Sequence, residues 1–215
     1  MTNFWKFFLP VFYATIFVSI TQAQNWMIQN SGTAQHLWDV QFVNDDVGFA
    51  CGDSGTLLKT NNGGNNWISI PTGTTESLIK IHFPGASVGY IGIQNSVGML
   101  KTTDGGDTWN QLSLNLPGSF GGGIWFVNDT TGFYAFGNNQ YSNPRILRTY
   151  DGGQTWDTVY NNPTGWLSYL FFADEMNGYA SGSGGTVLIT NDGGNSWIQS
   201  LNGTNMWMSG IFFFE

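Results

Sequence analysis

An all-β propeller of four-stranded antiparallel blades, about four of them plus partial ones in an incomplete ring, is predicted by three features of this 215-residue chain. One Trp-ended turn recurs four times, hydrophobic strands recur at a fixed distance from each Trp, and the composition favours short strands over helices. The turns are Thr60-Asn-Asn-Gly-Gly-Asn-Asn-Trp67, Thr102-Thr-Asp-Gly-Gly-Asp-Thr-Trp109, Thr149-Tyr-Asp-Gly-Gly-Gln-Thr-Trp156 and Thr190-Asn-Asp-Gly-Gly-Asn-Ser-Trp197. Their tryptophans are 42, 47 and 41 residues apart, and Trp26 stands another 41 before Trp67. Self-similarity at a period of roughly 40–45 residues, with several strands per period, is the signature of propeller blades. The chain is rich in Gly, Asn, Thr and aromatics and only 9% charged, so helix formers are scarce and turn residues plentiful.

Each blade can be laid out from its Trp. Sixteen or seventeen residues after each one, a hydrophobic strand ends in Phe42, Phe83, Phe126, Phe172 or Phe213, with an aliphatic residue two positions earlier (Val40, Ile81, Ile124, Leu170, Ile211). The residue between them is Gln41, His82, Trp125, Phe171 or Phe212. This lack of a polarity rule is expected of a strand sandwiched between neighbouring sheets. The second strand opens on Gly48-Phe49, Gly89-Tyr90, Gly132-Phe133 and Gly178-Tyr179, the third runs into the Thr of the repeated turn, and the fourth is expected to begin at its Trp.

The repeated turn has a mechanical explanation. A side-chain acceptor at Asn62, Asp104, Asp151 or Asp192 can take the amides ahead of it, glycines such as Gly64, Gly106, Gly153 and Gly194 supply positive φ, and Trp67, Trp109, Trp156 and Trp197 close the hairpin. Carboxylates repeated once per blade lie on separate blades and do not converge, which argues against a catalytic or calcium-binding role. Asn62 in the first turn fits a hydrogen-bond acceptor better than a charged catalyst.

Thr-x-Asp-x-Gly-x-Thr-Trp, four times over, resembles the Asp-box or bacterial-neuraminidase repeat. The form in which a Leu-Lys-Thr or Leu-Arg-Thr strand enters the turn is similar to the photosystem II stability/assembly factor-like propellers. The resemblance spans essentially all of residues 24–215 and implies that the boxes face away from the functional loops. Families with this box also include sialidases, xyloglucan hydrolases and sortilin-type receptors, so the box specifies the fold and not an activity. On the loop face implied by the resemblance, one connection is long. The interval from the strand-two Gly to the strand-three Thr is 17 residues in the third blade against 12 or 13 elsewhere, which places about five extra residues around 138–145. Tyr141 and Arg145 in that loop are candidate ligand contacts. Six residues before the strand-one Phe come His36, Ser77, Phe120, Trp166 and Trp207; of these His36, Trp166 and Trp207 are the further candidates, with burial between blades as the other reading.

The N-terminus reads as a signal peptide, residues 1–23. Lys6 precedes an apolar run from Phe7 to Ile20, too short for the roughly twenty residues a span requires, and Thr21-Gln22-Ala23 suits cleavage before Gln24. The expected location is therefore secreted, periplasmic or cell-surface, with no membrane span after signal removal. The formal charge is −8, and removing Lys6 with the leader leaves five basic against fourteen acidic residues, a net −9. Nucleic acid is excluded as a partner on that balance.

Catalytic groups are not apparent. A sialidase site implies an arginine triad, whereas the only arginines are Arg145 and Arg148. Glycoside hydrolysis needs two convergent carboxylates, and Asp39, Asp53, Glu76, Asp129, Asp157 and Asp174 yield no assignable pair. His36 and His82 are too few for a metal site, so neither metal nor cofactor is expected, and Cys51 reads as a buried inert thiol. Lys59, Lys101 and Arg148, each just before a boxed Thr, read as partners for acidic groups within or between blades, with Ile189 in the fourth repeat. The segment Trp207–Glu215 begins a fifth blade without its middle, so the chain is expected to be part of a longer one. The reading is a secreted, non-enzymatic binding or assembly propeller whose ligand is a protein or a cell-surface glycan; the alternative is a fragment of a sialidase-like or xyloglucanase-like hydrolase.

Overall fold

The computed structural model describes residues 28–94, 98–114, 119–138, 144–162, 165–200 and 203–210. The expected signal segment, Trp26, Tyr141, most of the 138–145 loop and Phe213 lie outside them.

Among the described residues sixteen strands form four separate antiparallel sheets, each ordered as a simple meander. The first blade comprises β1 (Leu37–Phe42), β2 (Gly48–Gly52), β3 (Leu57–Thr60) and β4 (Ile68–Ser69). The second comprises β5 (Leu78–His82), β6 (Gly89–Ile93), β7 (Gly98–Thr102) and β8 (Asn110–Ser113). The third holds β9 (Ser119–Phe126), β10 (Gly132–Asn138), β11 (Arg145–Thr149) and β12 (Asp157–Asn161). The fourth holds β13 (Leu167–Phe172), β14 (Gly178–Gly182), β15 (Val187–Thr190) and β16 (Ile198–Ser200). Strand four starts one residue after each Trp, where the ladder to strand three begins. Among the described residues the only helical pieces are single 3-10 turns at Asp53–Gly55 and Ser183–Gly185.

The cores lie between blades. Phe49, Cys51 and Leu57 of the first blade join Leu78, Ile81 and Ile91 of the second. Tyr90 and Met99 of the second join Ile124 and Phe126 of the third, and Phe133 and Ile146 of the third join Leu170 and Phe172 of the fourth. Each interface repeats one aromatic arrangement. The strand-two ring of one blade stacks on the strand-one Phe of the next, and the next blade's Trp meets that Phe edge-on: Phe49 on Phe83 with Trp109, Tyr90 on Phe126 with Trp156, Phe133 on Phe172 with Trp197.

Among the described residues no blade covers the outer face of the first one. Ile81, Ile124 and Leu170 are at most 2% exposed, whereas their counterpart Val40 is 58% exposed and Phe42 meets, among the described rings, only Trp67, edge-on. At the other end, residues 206–208 run beside the fourth blade, with the Gly185 N–H donating to the Met206 carbonyl and the Met208 N–H to the Gly182 carbonyl.

Candidate functional site

The repeated turns are closed hydrogen-bond units. In each, the Thr hydroxyl (Thr60, Thr102, Thr149, Thr190) donates to the side-chain oxygen of Asn62, Asp104, Asp151 or Asp192 and accepts the N–H of Gly64, Gly106, Gly153 or Gly194 at 2.9 Å. The same acceptor takes the amide four residues after it, and in the three Asp turns its second oxygen takes the hydroxyl of Thr108, Thr155 or Ser196 at 2.6 Å. Asn62 is matched by Asn66, which has no hydroxyl to offer. These donors hold Asp104 well below the usual carboxylate range and Asp151 and Asp192 down to about 2, the hydroxyl of Thr108, Thr155 or Ser196 contributing most. A carboxylate saturated in this way is a poor general acid.

The turns lie at one end of the blades. Gly63, Gly105, Gly152 and Gly193 each donate to the carbonyl of the β1–β2-type turn of their own blade, at Asp46, Ser87, Thr130 and Met176. The cations before the boxed Thr reach across to the next blade: Lys59 to the Gly105 carbonyl and Asp107, Lys101 to the Gly152 carbonyl, Arg148 to Asn195. They act as inter-blade clips, and at Ile189 the clip is absent.

At the opposite end the described candidate contacts differ in exposure. His36 is exposed, Trp207 is 51% exposed, and Arg145 sits half-buried in β11 opposite Phe136 and Asn161. Trp166 is 7% exposed, its ring against Gly137 so closely that a Cβ there would lie 2.7 Å from it, so this indole is a packing residue.

Side chains converge on the axis, at the positions between the aliphatic residue and the Phe of each inner strand. Gln41 bonds both backbone groups of Phe83, its Oε1 accepting the N–H at 2.9 Å and its Nε2 donating to the carbonyl at 3.1 Å. His82 bonds the Phe126 carbonyl through Nε2 at 2.9 Å, which fixes Nε2 as the protonated nitrogen. Asp39 accepts the Ile81 N–H at 3.0 Å and the Lys80 ammonium at 3.1 Å. The inner strands of the second and third blades thus have free edge groups capped by side chains of the blade before them, one way to protect a sheet edge. Trp125 lies 4.4 Å from His82 and 5.0 Å from Phe171, ring centre to ring centre, while the Lys80 ammonium sits 5.2 Å above the Tyr169 ring, reaching from the second blade to the fourth.

Two cavities open here, of about 220 and 360 Å³, which share Gln41, His82 and Trp125; the first adds Asp39 and Lys80, the second Phe172, Asp174 and Glu175 at the box end. Burial pushes His82 down to about 4, so it is neutral at pH 7. Trp125, Tyr169 and Phe171 remain half-exposed. This site is aromatic and concave with few fixed polar groups, which suits binding. Sequence reasoning passed over it because the variable polarity of these positions looked like the absence of a rule. The available signal was that the same register holds Gln and His in two blades and large aromatics in two others. Among the described residues no group of three His, Cys, Asp or Glu could hold a metal ion.

Comparison with known proteins agrees with the architecture. The sequence profile described as Photosynthesis system II assembly factor YCF48 matches residues 18–165. The chain is 38% identical over 94 residues to the photosystem II stability/assembly factor HCF136, chloroplastic, of Oryza sativa subsp. japonica, covering 39% of this chain and 22% of that one. It is 30% identical over 107 residues to the photosystem II assembly lipoprotein Ycf48 of Synechococcus sp. (strain CC9902), covering 47% and 32%. The matches thus span about a fifth to a third of these relatives. In structure it is similar to a YCF48 bound to a D1 peptide (TM-score 0.56, 18% identity, 80% of this chain and 82% of that one). It is also similar to the GH74 enzyme of Niastella koreensis (TM-score 0.61, 19% identity, 73% and 28%), likenesses of fold alone.

Proposed function

The chain belongs to the photosystem II assembly factor YCF48 family, and from that premise we propose that it is a non-enzymatic propeller, acting outside the cytoplasm, that binds an extended segment of a protein partner at its axial cavity. The carrying observation is the cavity itself, lined by half-exposed Trp125, the Lys80–Asp39 pair and neutral His82, with Tyr169 against the Lys80 ammonium and Phe171 against Trp125. Aromatic side chains in a concave site are the usual anchors of protein recognition. That a similar propeller is described as bound to a D1 peptide supports a peptide-like ligand. The signal-peptide pattern of residues 1–23 supports export, and among the described residues no helix is long and apolar enough to cross a membrane.

A hydrolase reading draws on the GH74 neighbour. Against it, every described carboxylate with a displaced pKa is displaced downward (Asp53, Asp104, Asp151, Asp174, Asp192), opposite to what a general acid requires. An immobilised library of overlapping peptides tests the binding reading. Capture of a subset of peptides, weakened about tenfold or more by Trp125→Ala in a folded protein, supports it. Hydrolysis of a polysaccharide panel, abolished by a single Asp→Asn change, would replace it with the enzyme reading.

A further inference from the structure

The four blades serve as internal controls for one another, and the first departs from the rest at its loop end. β1 carries a bulge between Leu37 and Asp39, and β5 and β13 carry the same bulge between Leu78 and Lys80 and between Leu167 and Tyr169. A bulge frees one residue from the ladder and re-aims its side chain. That residue is Ile79 in the second blade and Ser168 in the fourth, both half-buried. In the first it is Trp38, 57% exposed.

A second departure meets the first. The residue after strand two donates its N–H back to the residue leading into strand one in three blades: Asp53 to His36, Gln94 to Ser77, Ser183 to Trp166. Only Asp53 is a carboxylate. Its Oδ1 accepts the Trp38 indole N–H at 2.7 Å and the Ser77 hydroxyl at 2.8 Å, so the indole is held by its edge with a face left open. The second carboxylate oxygen takes no hydrogen bond among the described residues. The His36 ring stands 6.4 Å from the Trp38 ring at 43°, and Ser54, next to Asp53, is the only described non-glycine residue at positive φ (56°), where the fourth blade has Gly184. Strain of this kind is held where a site over-determines it.

We propose that Trp38 and Asp53, with His36 beside them, form a binding site for a neutral oligosaccharide. A pyranose ring presents a C–H face that stacks on an indole and, at its rim, vicinal hydroxyls that donate to a carboxylate; here both partners are pre-positioned by one hydrogen bond. The net charge of −8 disfavours uronic or sialic acids, which selects neutral sugars. The site uses none of the residues that line the axial cavity, and nothing in it requires the peptide reading.

Cellotetraose and maltotetraose, with sialyllactose as the anionic comparison, are titrated into the ¹⁵N-labelled full chain while the indole N–H resonances are followed, Trp38 being assigned by its loss in Trp38→Phe. The expected result is a saturable shift of the Trp38 resonance at millimolar concentrations of a neutral tetrasaccharide, weakened about tenfold, or 1.4 kcal/mol, by Asp53→Ala and, with binding read from the backbone amide resonances, by Trp38→Ala. Trp125→Ala leaves it unchanged. If neither neutral sugar moves the Trp38 resonance, if Trp38→Ala binds as the parent does, or if sialyllactose binds best, the site is not a neutral-glycan site.

Discussion

At the residue scale, the titrating groups separate scaffold from site. The Asp151 and Asp192 carboxylates are held at about 2 in the folded chain against about 3.9 in an unfolded one, and Asp104 is displaced the same way. A carboxylate with a lowered folded pKa stabilises above the unfolded value, and that contribution is lost as pH falls towards the folded one. Stability should therefore drop between pH 4 and about pH 2. The triple change Asp104→Asn, Asp151→Asn, Asp192→Asn, which gives every turn the amide that Asn62 supplies in the first, should flatten that drop in acid-unfolding curves. His82 covers a different window. Its folded value of about 4 lies below the ordinary 6.5, so the unfolded chain takes up a proton first and stability falls as pH drops from 6.5 to 4. His82→Gln, which copies the Gln41 solution in the first blade, should abolish that part of the pH dependence, on the order of 3 kcal/mol. The buried Tyr134 hydroxyl has no hydrogen-bond partner among the described residues, so Tyr134→Phe should leave stability unchanged or raise it by about 1 kcal/mol in thermal melts.

At the scale of elements, strand identity and register were legible because each blade repeats the same decisions. The Gly-aromatic start of strand two, the aliphatic-x-Phe end of strand one and the Trp turn all fall where the repeat puts them. The inter-blade partnership of Lys59, Lys101 and Arg148 was also legible, since a charge recurring at one register position needs a recurring partner. The exact partner was not, because a backbone carbonyl leaves no trace in sequence. The second glycine of each turn carries a testable demand. A Cβ at Gly106 would lie 2.4 Å from the Phe49 ring of the preceding blade, whereas one at Gly73, also at positive φ, would meet nothing. Gly106→Ala should cost about 1–3 kcal/mol more than Gly73→Ala in denaturant unfolding, the excess being the cost of overpacking the inter-blade stack.

At the scale of the whole molecule, the chain builds its cores between blades, so a face is finished only when another blade covers it. Val40 and Phe42 display on the first blade what the other interfaces bury. The axial cavity arises at the same scale. Asp39, Lys80, His82, Trp125 and Tyr169 come from four inner strands spread over 131 residues of sequence, and only the curvature of the blade array brings them together. In the sequence such a site shows only as one register position, Gln41, His82, Trp125 and Phe171, that recurs in every blade. The most direct test is to compare Trp125→Ala with Asp151→Asn in one binding assay, using a peptide that the parent protein captures. If the axis is the site and the turns are clips, Trp125→Ala loses capture about tenfold or more at unchanged fold, and Asp151→Asn keeps it while losing acid-range stabilisation. Capture that survives Trp125→Ala and disappears with Asp151→Asn would contradict both assignments.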